Sequence, residues 1–410
     1  MIKNKTLEII NRLAEFGKTE TGTTRLSYSA EFIAAQHYLR EVMLSCGMQV
    51  QLDDFGTLIG TYKGLDSTLP AVWSGSHLDT VPSGGNYDGV LGIAMPLACM
   101  LYWREVGFVP KCDVKVIAMP EEEGTLFKPG CMASAVICGE LQERQEDSIF
   151  DPDGNSLESY LLKAGLNTNP FRTAVQDLSK IKCFLEAHIE QGEELELAGM
   201  SVGVVDSIVG IDRYEFRLCG VANHAGTTRM GSRKDAFVGA AFVAGSLYEK
   251  ASDSNGRFVA TIGRVNLFPN AVNVIPGEAN ISIETRAANF DILNEAKQAV
   301  YATLDEMQSR YGVKYELIAL NKIAPVQLSP QIIELLSANS TKLNLKYKTL
   351  PSWAGHDAKV FAEYVPTGMV FAPSAKGISH SPDEFTAAAD IDNTFAVFEA
   401  TLKDLTEINL

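Results

Sequence analysis

The chain has 410 residues, enough for two domains at roughly 100–200 residues each. Hydrophobic residues make up 46% and charged residues 21%, a globular balance that argues against disorder. The formal net charge of -16 argues against nucleic acid and anionic membrane surfaces, both of which need a basic face.

The first stretch, MIKNKTLEIINRLAEFG, is amphipathic and lacks the apolar core and cleavage site of a signal peptide. Ser29 to Cys46 has helical spacing, with Phe32, Ile33, Tyr38, Leu39, Val42 and Met43 on one stripe. Ala71 to Gly75 is a short apolar run that predicts a buried strand. Gly89 to Val106 predicts a buried helix, because its apolar part is too short to span a bilayer and holds Pro96. Val114 to Met119 is a second buried strand, which gives the rhythm of an α/β sheet. The seven cysteines are scattered with no C-x-x-C pair, so a disulfide framework and a thiolate zinc site are not expected. A reducing, cytoplasmic location is.

The middle of the chain changes character. Tyr214, Phe216 and Leu218 alternate with Glu215 and Arg217, as in a half-exposed strand. A helix over Arg233–Ala251, strands over Arg257–Val265 and Asn273–Thr285, a helix over Phe290–Tyr311 and a strand over Val313–Leu320 follow. The order β-α-β-β-α-β is that of a ferredoxin-like unit, placed at about 211–325. Helices over Ser329–Leu343 and Ile391–Leu405 and a strand over Gly368–Ala372 then resume the α/β pattern. The first domain is therefore expected to be discontinuous, over 1–210 and 326–410.

Five of the six histidines stand in stretches rich in glycine and acids. In GSHLDT, period-2 alternation puts His77 and Asp79 on one face, where Asp79 could fix the His77 tautomer. An ordinary strand-end turn fits equally well. Asp88, among glycines in GGNYDG, reads as a metal ligand or as a helix N-cap. Glu121, Glu122 and Glu123 directly follow a buried strand, where α/β sheets build sites, though acidic loops are common. Glu186, His188 and Glu190 share one face of a strand that reads either as a metal face or as an amphipathic edge. His224, His356 and His380 lie in NHAGTT, AGHDA and GISHSP, each weak alone. Taken together, His77, His188, His380, Asp88 and Glu123 form a nitrogen and oxygen set for two divalent cations. That set suits Zn²⁺, Mn²⁺ or Co²⁺ rather than Ca²⁺.

GSHLDTVPSGGNYDG, PEEEG, LEAHIEQG, NHAGTTRM, PNAVNVIPG, AGHDA and GISHSPDE occur in that order over nearly the whole chain. In this combination the sequence resembles the hydantoinase/carbamoylase amidases of the di-metal aminoacylase and carboxypeptidase clan. The resemblance implies an α/β catalytic domain with an inserted α+β dimerisation (lid) domain. It implies that His77 and His188 hold one metal, Glu123 and His380 the other, and that Asp88 bridges them. Glu122 would be the general base. Gln191, Asn273, Arg286, Gly355 and His356 would contact substrate, and His224 would support the oxyanion from the neighbouring subunit of a homodimer.

Substrates within this branch are small linear ureido compounds. Thr24 to Glu31 and Val204 to Gly210 look most like allantoate amidohydrolases, which serve nitrogen recovery from purine ureides. N-carbamoyl-L-amino acid hydrolases and ureidopropionases share the motifs. Two departures bear on substrate choice: Thr125-Leu126-Phe127 after the acidic motif, and Arg229 before Met230. A non-catalytic binding protein and a metal-dependent peptidase are the competing readings. The first would more often have lost a ligand or the base.

Overall fold

The computed structural model describes residues 5–141, 149–167, 169 and 171–409. The chain divides into two compact units, one of Met1–Asp206, Leu328–Leu350 and Gly355–Leu410, the other of Ser207–Gln327 and Pro351–Ala354. The short excursion at Pro351–Ala354 carries no signal in the sequence.

The first unit is built on a mixed sheet. Its centre is four parallel strands in the order Thr367–Ala372, Ile181–Ile189, Ala71–His77 and Val114–Met119. Leu58–Tyr62 and then Gln49–Leu52 extend it antiparallel on one side, and Val202–Ile208 pairs antiparallel with Thr367–Ala372 on the other. Parallel strands need cover on both faces, and the Ala71–His77 strand is buried at every position. The Ile181–Ile189 strand is therefore central, and the amphipathic-edge alternative for it is excluded.

The helix Val90–Val106 is buried on every side from Val90 to Met100 and packs into the main core with Leu185, Ala187 and Val370. It begins after Gly89, whose φ is +67° and which has no side-chain cap. The N-cap alternative for Asp88 thus fails. Ala30–Ser45 does start on a side-chain cap, with the Ser29 hydroxyl accepting the Phe32 N–H. Among the described residues no helix is long and apolar enough to cross a membrane, and all seven cysteines are free.

The second unit is an antiparallel sheet in the order Phe258–Phe268, Glu278–Ala287, Gly210–Cys219 and Lys314–Ile323. Helices Ala236–Asp253 and Phe290–Tyr311 share a core with it through Val243, Leu247, Val300 and Leu304 against Tyr214, Phe216, Ile281 and Ile283. Glu278–Ala287 alternates strictly between buried and half-buried positions, as one covered face demands. The strand expected from Asn273 begins only at Glu278. Pro276 has no N–H to offer the ladder, so Pro276-Gly277 separates it from a short Val274–Ile275 segment paired with Asn223–His224.

Candidate metal centre

Four parallel strands of the first unit end together, and the side chains that leave their carboxyl ends converge, as open α/β sheets favour. His77 is the last residue of its strand and His188 the next to last of the neighbouring one. Glu121 to Glu123 follow Val114–Met119. His380 follows Thr367–Ala372 after a short loop.

Asp88 stands at the middle. Its Oδ1 is 3.3 Å from His77 Nε2 and 3.2 Å from His188 Nε2. Its Oδ2 is 3.2 Å from His380 Nε2, which in turn is 3.4 Å from Glu123 Oε2. Two groups of ligand atoms, His77/Asp88/His188 and Asp88/Glu123/His380, each lie within 4.8 Å of one another and share Asp88. Glu122 Oε2 is 3.8 Å from His77 Nε2, at the edge of the first group.

Backbone carbonyls set the tautomers. His77 Nδ1 donates to the Asp79 carbonyl at 2.9 Å, and His188 Nδ1 to the Ile189 carbonyl at 2.9 Å. With the proton on Nδ1, each Nε2 presents a lone pair, and that of His188 accepts the Gly89 N–H at 3.2 Å. This corrects the expected role of Asp79, whose carboxylate is 3.9 Å from His77 Nδ1. The two Asp79 oxygens instead accept the N–H groups of Glu122 and Glu123, both at 3.2 Å. Asp79 aims the acidic turn rather than the imidazole.

The turn is held from the N-terminal side as well. Arg25 is buried and donates to the carbonyls of Leu78, Leu13 and Phe16. Burial pushes its guanidinium down to about 10. Ser27 accepts the Glu121 N–H, and Glu121, at φ +61°, accepts the N–H groups of Leu126 and Phe127. Glu121 thus shapes the loop and is not among the convergent ligands.

Glu384 was not singled out by sequence, and its only signal is its place as the last residue of GISHSPDE. Its Oε1 accepts the N–H groups of Tyr87 and Asp88 at 2.8 and 3.1 Å. The Ser379 hydroxyl lies 2.9 Å from both Glu384 Oε2 and Asp88 Oδ2. Gly85 makes room, since a Cβ there would fall 2.2 Å from Glu384 Oε1.

The residues expected to meet substrate divide. Gln191 joins the centre, donating to Asp88 Oδ2 at 2.8 Å, and its buried Oε1 has no partner. His356 is buried with its ring 4.4 Å from that of His188, so it backs the ligand instead of lining an open surface. Gly355 is exposed. His224, Asn273 and Arg286 belong to the second unit. His224 is exposed, and its Nδ1 accepts the Gly226 N–H at 3.0 Å, which leaves the proton on Nε2. Asn273 is exposed, and its carbonyl accepts the Ala225 N–H. Arg286 pairs with Glu284 at 2.8 Å and donates to the Trp353 carbonyl at 2.8 Å.

The electrostatics are those of a cluster that wants cations. Burial, then the Asp88 charge, raise Glu123 to about 7, and burial raises Glu122 well above the usual carboxylate range. The hydrogen bond to Asp88 raises His380 to about 9 against the opposing effect of burial. Burial opposes ionisation of Asp88, but the three imidazoles outweigh it and hold Asp88 well below its ordinary value. These shifts favour protons at positions that divalent cations would take. The nitrogen and carboxylate donors, the shared Asp88 and the unpartnered Gln191 Oε1 all fit such ions.

The Peptidase family M20/M25/M40 profile matches residues 73–404, a span that contains every one of these ligands. The chain belongs to that family. Members of the M20/M25/M40 family are metal-dependent hydrolases, and this chain has groups of side chains that could hold a metal ion. It is 35% identical over 387 residues to an allantoate amidohydrolase of Escherichia coli, covering 94% of this chain and 93% of that one. It is 33% identical over 396 residues to an N-carbamoyl-L-amino-acid amidohydrolase of Paenarthrobacter aurescens, covering 97% and 96%. A hydantoinase/carbamoylase family amidase from Burkholderia ambifaria superposes with a TM-score of 0.92 at 26% identity, covering 100% of this chain and 98% of that one. The M20/M25/M40 fold here is accordingly that of an amidohydrolase acting on C–N bonds in linear amides.

Proposed function

We propose that this chain is a cytoplasmic, homodimeric amidohydrolase that uses two divalent cations, Zn²⁺ or Mn²⁺ with Co²⁺ able to replace them, to hydrolyse allantoate. The observation that carries the reading is Asp88 set between three imidazoles with Glu123 beside one of them and Glu122 beside another. The near full-length likeness to amidohydrolases of ureido compounds supports the substrate class.

His77 and His188 would hold one cation, Glu123 and His380 the other, with Asp88 between them. Bound there, the cations would polarise the ureido carbonyl and make water easier to deprotonate. A ureido carbonyl needs that help, because both nitrogens feed electrons into it. Glu122 takes the proton of the attacking water and delivers it to the leaving nitrogen as the C–N bond breaks. The carbamate released decomposes to ammonia and carbon dioxide. His224, with its proton on Nε2, is built to donate to the developing oxyanion, and in a dimer it would do so for the partner. Arg286 keeps two of its five N–H groups after Glu284 and Trp353 are served, enough to pair with a substrate carboxylate.

The test is ammonia release from allantoate by cation-loaded protein, beside amino-acid release from N-carbamoyl-L-amino acids. Ammonia from allantoate with little carbamoylase activity supports the proposal. The reverse keeps fold and ligands but makes the chain an L-carbamoylase, with Leu126 and Arg229 as the first positions to exchange.

A further inference from the structure

We infer that Cys131 is a positioning residue for Glu122, fixing which of its carboxylate oxygens is free to handle the proton. The inference rests on the amidohydrolase reading above. Cys131 Sγ lies 3.4 Å from Glu122 Oε1 and is placed to donate its S–H. The opposite oxygen, Oε2, is the one near His77 Nε2. A carboxylate with neither oxygen tethered can rotate about its last bond and exchange the two. A tether on Oε1 leaves one oxygen, in one direction, for the water.

The backbone is arranged to put the thiol there. The Cys131 N–H donates to the Glu122 carbonyl at 2.9 Å, so the two residues are joined by main chain as well as side chain. Gly130 lies against the same carbonyl, where a Cβ would fall 2.1 Å away. Cys131 itself has φ +59° and ψ 33°, a left-handed conformation that residues with a side chain rarely adopt. A glycine would occupy that position with less strain, yet it would carry no donor. Burial, then the adjacent Glu122 charge, push the Cys131 thiol well above its ordinary value, which keeps it an S–H donor.

Two experiments test this. Removing one weak donor to a carboxylate should cost about five-fold in rate. Cys131→Ala should therefore lower kcat by that factor, with KM, bound cation and melting temperature unchanged. Cys131→Ser, which restores a donor on a shorter arm, should recover most of it. A Cys131→Ala enzyme with native kcat, or a Cys131→Ser enzyme no better than Cys131→Ala, overturns the inference. The second experiment needs no substrate. Iodoacetamide alkylation of Cys131, followed by peptide mass mapping, should be faster in Glu122→Ala than in the native protein, because the carboxyl group that covers the thiol and accepts its S–H is gone. Equal rates overturn the contact. If the native protein hydrolyses no ureido compound, the substrate reading fails while the alkylation result still decides the contact.

Discussion

At the scale of single residues, the proposed function divides groups that would hold cations from the group that would move a proton. Glu122 and Glu123 are neighbours in sequence, are aimed by the same Asp79 carboxylate, and differ in what their side chains face. Glu122→Gln should lower kcat by about 10²–10⁴, the range for loss of a general acid–base. Bound cation, read by elemental analysis, should be unchanged. Asp88→Ala should instead lose cations from both groups, since both contain it. If Glu122→Gln also loses cation, Glu122 is a ligand and the division of labour is wrong. The convergence of these side chains was legible in the sequence because imidazoles and carboxylates recur in glycine-rich contexts. The roles of Asp79 and Glu384 were not, because they act through backbone N–H groups contributed by other segments. No spacing along the chain encodes such contacts.

At the scale of elements, loops rather than strands decide the geometry. The Asp88 loop is held by one carboxylate from far along the chain, and Gly85 is the opening that admits it. Gly85→Ala should weaken cation binding and destabilise the fold by about 1–3 kcal/mol, as overpacking does. Gly154→Ala is the control. That residue has a positive φ, which Gly85 lacks, but its added Cβ would meet nothing within 4 Å, so cation affinity should be untouched. Isothermal titration with Mn²⁺ and thermal melts read both. Helix Phe290–Tyr311 was legible to its ends because Asn289 caps it and Gly312 closes it in a left-handed conformation. The Asn273–Thr285 strand was misread because Val274 and Ile275 look like strand residues, and the break at Pro276-Gly277 comes after them.

At the scale of the whole molecule, proton and cation would compete. In the cation-free fold Glu121 and Glu123 are raised to about 7 and His380 to about 9, with burial first for the carboxyls and Asp88 first for the imidazole. Each folded value lies above the unfolded one, so the folded state binds more protons in the window between them. Stability must then fall as pH rises, through about 4.5 to 7 for the carboxyls and 6.5 to 9 for His380. Asp88 has the opposite sign, but its window lies below 3.8. Chelator-treated protein should therefore melt at lower temperature at pH 9 than at pH 6, and added Mn²⁺ should reverse the trend by displacing the protons. A chelated protein equally stable at both pH values would argue against the cluster as described. The order of the strands has one more effect, on synthesis. Thr367–Ala372 sits between Ile181–Ile189 and Val202–Ile208, which leave the ribosome long before it does. The growing chain must keep a slot in its central sheet unfilled until residues 367–372 have been made. His380 arrives just behind that strand, so the candidate group of Asp88, Glu123 and His380 closes only once residue 380 has been made.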